Sequence, residues 1–94
     1  MNEIAEKMIK FMEDNVKGVK FHSCKSSNIF LFGYEAKDLN LWVIFKNTQK
    51  AYKYKGVTQE MFEDLMRAES KGKWVNANLV KPKINYSIYE IVGL

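Results

Sequence analysis

Tyr52-Lys53-Tyr54-Lys55 is the run whose residue types and spacing hold the most chemistry in this chain. In an extended strand, residues two apart share a face, so Tyr52 and Tyr54 project from one side and Lys53 and Lys55 from the other. Aromatic platforms beside lysines hold single-stranded nucleic acid in many small sheets: bases stack on the rings and ammonium groups neutralise phosphates. The competing role for both tyrosines is packing under a helix, since tyrosine is favoured in half-buried strands. A second cluster follows in Lys71, Lys73, Lys81 and Lys83, with Asn76 and Asn78 between them. As a rim of amines and amides it can face phosphate. As ordinary surface, its first lysines offset the dipole at a helix C-terminus. Trp74, in its midst, is expected to be a core anchor beneath the loop.

Other reactive residue types do not assemble into a constellation. His22 and Cys24 lie two apart on one strand face, and the chain has no other His or Cys to complete a metal site of three or four ligands. Neighbours on one strand also do not aim at each other as a nucleophile and base must. Ser26 and Ser27 lack a nucleophile-elbow glycine pattern. Glycines at 18, 33, 56, 72 and 93 are too scattered to cradle a phosphate. The carboxylate pairs Glu13-Asp14 and Glu63-Asp64 fall on predicted helices, where solvated faces account for them. The expectation is a non-enzyme with no cofactor and no metal.

Composition narrows the class. A chain of 94 residues, 47% hydrophobic and 14% aromatic, suits one folded domain rather than disorder. At this length folding buries roughly 60–65% of the unfolded surface, enough for one modest core. A single cysteine cannot form an internal bridge and suits a reducing compartment, so the cytoplasm is the expected location. The longest apolar run, Leu41-Trp42-Val43-Ile44-Phe45, is of strand length, far below the roughly 20 residues of a membrane span. Glu3 and Glu6 beside Lys7 are unlike a signal peptide. The net charge of +4 is unevenly spread: −1 over residues 1–17, +5 over 18–56, −3 over 57–70 and +3 over 71–94. A one-sided basic surface attracts polyanions.

These residues need elements to position them. Ile4, Met8, Phe11, Met12 and Val16 recur at helical spacing, predicting a helix over 2–17 that Asn2 caps and Gly18 ends. Val19–Ser23 is a short extended piece and Ser26–Asn28 a turn. Strands follow at 29–34, 39–45 and 50–55, joined by turns at 35–38 and 46–49. Thr58 is placed to cap a second helix whose buried stripe is Met61, Phe62, Leu65, Met66 and Ala68, with Gly72 at its end. Residues 74–80 are a short helix or an irregular loop, limited by Pro82. Alternation at Ile84, Tyr86 and Ile88 predicts a last strand.

The order Ser27-Asn28-Ile29, Gly33-Tyr34, Leu41-x-Val43-x-Phe45, Tyr52-Lys53-Tyr54, Gly56-Val57 and Ala68-Glu69-Ser70-Lys71-Gly72-Lys73-Trp74-Val75-Asn76 resembles the KTSC domain family. The likeness runs over residues 26–79. That family takes its name from a C-terminal segment of some lysyl-tRNA synthetases and is also a stand-alone module in small bacterial and phage proteins. The resemblance therefore implies RNA binding. The chain departs from the family pattern at Thr58, where a proline is usual. It departs again at Leu79-Val80-Lys81-Pro82, where an Ile-Arg pair and an aromatic are usual, leaving Lys81 as the basic contact there.

The expected protein is thus one α+β domain over 1–94. It has a three- or four-stranded antiparallel meander with two helices packed on one face. The helix at 2–17 and the strand at 84–92 are additions to the 26–79 core. The expected function is a nucleic-acid-binding module for RNA or single strands, through Tyr52, Tyr54, Lys53, Lys55, Lys71, Lys73, Asn76 and Lys81. The alternative is a protein–protein interaction module, such as a phage accessory or host-inhibiting protein. That protein would use a sheet edge or the added helix toward a protein partner or a second copy.

Overall fold

The computed structural model describes residues 3–46 and 50–90. The expected cap at Asn2, the turn residues 47–49 and the end of the last strand at 91–92 lie outside the described residues. In chain order the elements are α1 (Glu3–Asn15), β1 (Lys20–Ser23), β2 (Ile29–Glu35), β3 (Asn40–Phe45), β4 (Lys50–Lys55), α2 (Gln59–Arg67), α3 (Lys71–Val75), one turn of π-helix (Asn76–Val80) and β5 (Tyr86–Glu90). No helix among the described residues is long and apolar enough to cross a membrane.

The strands form an antiparallel meander in the order β1-β2-β3-β4-β5. The α+β meander is as expected, with five strands instead of three or four. The extra count comes from the two short terminal strands, which alternation of a few residues signals weakly. The helices lie on both faces instead of one. α1 sets Ala5, Met8 and Met12 against Phe21, Leu31, Trp42 and Ile44. The opposite face carries Phe32, Leu41, Val43 and Tyr54 beneath Leu65 of α2, Trp74 and Val75 of α3, and Leu79 of the π turn. Two faces each needing cover explain why β3, from Asn40 through Ile44, is buried throughout. Each large apolar side chain so buried contributes about 1.5–3 kcal/mol.

Individual helix assignments shift by a residue or two. On α1 the buried residues are 5, 8 and 12, and Ile4, expected in the stripe, is 68% exposed at the helix start. On α2, Leu65 is buried and Met66 exposed. Phe62 stacks flat on Tyr34, with ring centres 4.6 Å apart, and the Tyr34 hydroxyl donates to the Val57 carbonyl at 2.6 Å. Thr58 caps α2 as expected, its Oγ1 accepting from the Met61 amide at 3.2 Å. The helix ends at Arg67, before Gly72, because Ala68 turns extended. Gly72 instead belongs to α3, whose cap is Ser70.

Candidate nucleic-acid interface

The floor of the site is the helix-α2/α3 face of β4 and β5. Their register sets Tyr52 opposite Ile88 and Tyr54 opposite Tyr86, which brings three tyrosines together from a pattern that shows only two in sequence. Their ring centres lie 5.6 Å (Tyr52–Tyr86), 5.5 Å (Tyr54–Tyr86) and 6.2 Å (Tyr52–Tyr54) apart. Phe45 of the neighbouring strand meets Tyr52 edge-on at 5.3 Å. The three tyrosines are not equivalent. Tyr54 is buried, at 3% exposure, whereas Tyr52 is half-buried and Tyr86 is 48% exposed. Between Tyr52, Tyr86 and the π turn runs an open groove of about 520 Å³, also lined by Phe45, Val80, Lys83 and Ile84.

The opposite wall is α3 and the π turn. Trp74 anchors it: the ring is buried and its Nε1 donates to Asp64 Oδ2 at 2.9 Å, tying α3 to α2. The π turn closes with the Lys81 amide donating to the Asn76 carbonyl at 2.9 Å. Such wide turns recur at functional sites. Beyond Phe45 and Val80 a smaller hollow of about 160 Å³ continues the groove, lined by Asn28, Lys73 and Asn76. Gly72 lets the 26–28 turn come this close, since a Cβ there would lie 3.2 Å from Ser26 Oγ, tighter than an ordinary contact.

The expected site residues divide into those this groove gathers and those it does not. Tyr52, Tyr54, Lys73 and Asn76 line it. Lys53 and Lys55 point to the α1 face, and the Lys53 ammonium sits 5.5 Å from the Trp42 ring centre and 5.4 Å from that of Tyr89. Lys71 donates to the Met66 and Ala68 carbonyls at 3.2 and 2.9 Å, capping the end of α2. Asn78 is likewise committed, to the Trp74 carbonyl at 2.9 Å. Lys81 is exposed just past the π turn and does not line the groove. By contrast, the side-chain donors of Asn28, Lys73, Asn76 and Lys83 have no hydrogen-bond partner among the described residues.

Phe45, Tyr86 and Asn28 were not among the residues read from sequence as candidates, and Lys83 entered only as a member of the second lysine cluster. Tyr86 carries a signal, because its alternation with Ile84 and Ile88 marks a strand that can pair beside β4. Lys83 is set by the end of the π turn: at φ +60° it occupies the left-handed region, and its amide and that of Ile84 donate to the Val80 and Leu79 carbonyls at 3.1 and 3.0 Å.

Burial raises the Tyr54 hydroxyl pKa to about 12, with the Tyr52 and Tyr86 phenols adding to the shift, so Tyr54 is neutral at physiological pH. On the other sheet face, burial raises the Glu35 carboxyl pKa. Hydrogen bonds from Asn40 and Trp42, both 3.2 Å, and the Lys53 charge outweigh it and hold the pKa below the usual carboxylate value. His22 packs on Phe32 with ring centres 5.4 Å apart. Cys24 lies past the end of β1, and burial raises its thiol pKa. Among the described residues no group of three His, Cys, Asp or Glu side chains is placed to hold a metal ion.

Known proteins with related sequence or shape bear on this arrangement. The model of the KTSC domain matches residues 25–82, more than half of the chain. The chain is also similar to the crystal structure of a KTSC domain protein from Yersinia pestis. The two are 27% identical, the comparison covers 79% of this chain and 99% of that one, and the TM-score is 0.64. Among curated proteins none matches. The matched residues run from the turn before β2 through the π turn to Pro82, and so include Asn28, Phe45, Tyr52, Lys73 and Asn76. Tyr86 and Lys83 lie outside them.

Proposed function

The chain belongs to the KTSC domain family, and from that premise we propose that it is a non-catalytic module that binds RNA or other single-stranded nucleic acid in the β4–β5 groove. The observation that carries this reading is the meeting of open aromatic surface with donors that are uncommitted among the described residues. Tyr52 and Tyr86 offer ring faces beside Lys83, and Lys73, Asn76 and Asn28 line the adjoining hollow, their side-chain donors without a hydrogen-bond partner among the described residues. A volume of about 520 Å³ lies within the roughly 300–1,000 Å³ of small-ligand sites. A duplex keeps its bases stacked inside, so a groove of this kind suits unpaired bases.

Binding of this kind is driven partly by counterion release and weakens with salt. A single strand contacting two or three phosphates loses roughly 7- to 20-fold in affinity between about 50 and 200 mM salt. Titration of labelled single-stranded RNA, single-stranded DNA and duplex at both salt concentrations tests the reading; no binding to any probe at the lower salt rejects it. A cytoplasmic setting goes with this reading, and the unpaired thiol of Cys24 fits a reducing compartment.

A second reading is favoured by β5. Among the described residues it is a sheet edge, and Tyr86, Ile88 and Tyr89 on it are 48, 46 and 44% exposed. An edge of this kind can accept a strand from a protein partner or a second copy, as a bacterial or phage accessory protein would. Nuclease-resistant capture of one stoichiometric protein, lost on Ile88→Lys, would carry that reading instead.

A further inference from the structure

The groove is divided, and its two parts differ in chemistry. Phe45 and Val80 stand between a larger compartment of about 520 Å³, walled by Tyr52, Tyr86 and Ile84, and a smaller one of about 160 Å³ that holds Asn28, Lys73 and Asn76. The larger compartment offers flat apolar rings and a single charge, Lys83, at its margin. The smaller one offers two side-chain amides and one ammonium group, none with an intramolecular partner among the described residues, and no carboxylate. A neutral planar ring fits the first, and a compact anion fits the second. Joined across the Phe45–Val80 divide, those preferences describe one nucleotide: a base with its phosphate.

We infer that the groove binds a single-stranded nucleic acid one nucleotide at a time. The base lies against Tyr52 and Tyr86, and the adjoining phosphate accepts hydrogen bonds from Asn28, Lys73 and Asn76. This deepens the nucleic-acid reading and rests on it. Two features of the sequence build the divide. Gly72 leaves room for Ser26 Oγ, which accepts from the Asn28 and Ile29 amides, and the π turn brings both Asn76 and Val80 to the groove wall, four residues apart. The ligand class follows. A nucleoside 5′-monophosphate is the smallest molecule that fills both compartments, a nucleoside fills only the larger, and inorganic phosphate fills only the smaller.

The test is an amide chemical-shift titration of the full chain with adenosine 5′-monophosphate, adenosine, inorganic phosphate and a short single-stranded RNA. It is repeated on Lys73→Gln and Tyr86→Ala, both at exposed positions and checked for an unchanged fold. The monophosphate is expected to bind at least about tenfold more tightly than adenosine or phosphate, a difference of about 1.4 kcal/mol. It should shift residues on both sides of the divide, with the RNA shifting the same residues. Lys73→Gln should reduce the monophosphate to the affinity of adenosine and leave adenosine unchanged, while Tyr86→Ala should weaken adenosine and leave phosphate unchanged. Equal affinities for monophosphate and adenosine overturn the divided site. RNA shifts confined to the Lys53–Lys55 face also overturn it, while leaving nucleic-acid binding intact. Absence of any RNA-induced shift rejects the divided site and nucleic-acid binding together.

Discussion

Tyr52 and Tyr86 lie 5.6 Å apart, ring centre to ring centre, across the β4–β5 ladder, with their planes inclined at 36°. Tyr54 lies beneath the same edge of the sheet, packed with the core that Leu65, Trp74 and Leu79 complete. A strand, a turn and an edge strand therefore give one buried ring and two accessible ones, and substitutions should separate the roles. Tyr54→Ala removes a buried aromatic and should cost about 3–5 kcal/mol of stability. Tyr86→Ala, at a half-exposed position, should cost under about 1 kcal/mol and act on binding instead. Urea unfolding midpoints of the two variants check the contrast.

Lys83 separates strain from affinity. Its φ of +60° is unfavourable for any side chain with a Cβ and costless for glycine. Lys83→Gly should leave stability unchanged or raise it by up to about 1 kcal/mol, because relief of strain offsets the looser unfolded chain. The same change should weaken RNA binding and flatten its salt dependence by about 0.7 in log–log slope, the value for one phosphate contact on a single strand. Thermal unfolding and salt titration on one preparation measure both.

Gly33 of β2 lies tight against β1. A Cβ there would lie 2.9 Å from the Lys20 carbonyl oxygen, from Phe21 Cδ2 and from Val19 Cγ1. The carbonyl is backbone and cannot swing aside, so Gly33→Ala must push β1 away from β2. A loss of about 1–3 kcal/mol is expected, the range for overpacking, with nucleic-acid binding intact because the groove lies on the other side of the sheet. Denaturant unfolding together with a binding titration of the refolded variant checks this; a stability equal to the parent would contradict the close packing.

Alkaline stability should report the buried ring. The Tyr54 pKa is raised to about 12 from an ordinary value of 10. Between those values the folded chain keeps a proton that the unfolded chain releases. The stability this provides is therefore fully present below about pH 10 and is lost as the pH rises toward 12, with a slope of at most about 1.4 kcal/mol per pH unit. Tyr54→Phe removes the titrating group, so its stability should fall less steeply over this window. Unfolding free energies of both proteins from pH 8 to pH 12 provide the comparison.

Much of this architecture can be read along the chain, and the reasons vary by element. Strong alternation and a central apolar run mark β2, β3 and β4, and Thr58 marks the start of α2 through its capping chemistry. The side of the sheet on which a helix lands is not a local property. α1 covers the face that α2 and α3 leave bare, and only the summed apolar demand of both faces requires that. The site behaves similarly. Tyr52, Tyr54, Lys73 and Asn76 stand out by type and spacing, whereas Tyr86, Phe45 and Asn28 join them through strand register and the close approach at Gly72. Lys53 and Lys71 look equivalent to Lys73 as letters. Their commitments, to the Trp42 and Tyr89 rings and to the carbonyls at the end of α2, exist only in the folded chain.

The central claim is that accessible tyrosines on β4 and β5 form a stacking surface for unpaired bases. Its most direct test is a fluorescence-polarisation titration of labelled single-stranded RNA against the parent chain and a Tyr52→Ala/Tyr86→Ala variant of verified fold, at low and moderate salt. Stacking contributes about 1–3 kcal/mol per base, so the variant should bind at least about fivefold more weakly, with its salt dependence unchanged. Equal affinities of the two proteins would contradict the account and move the nucleic-acid contact to another face of the sheet.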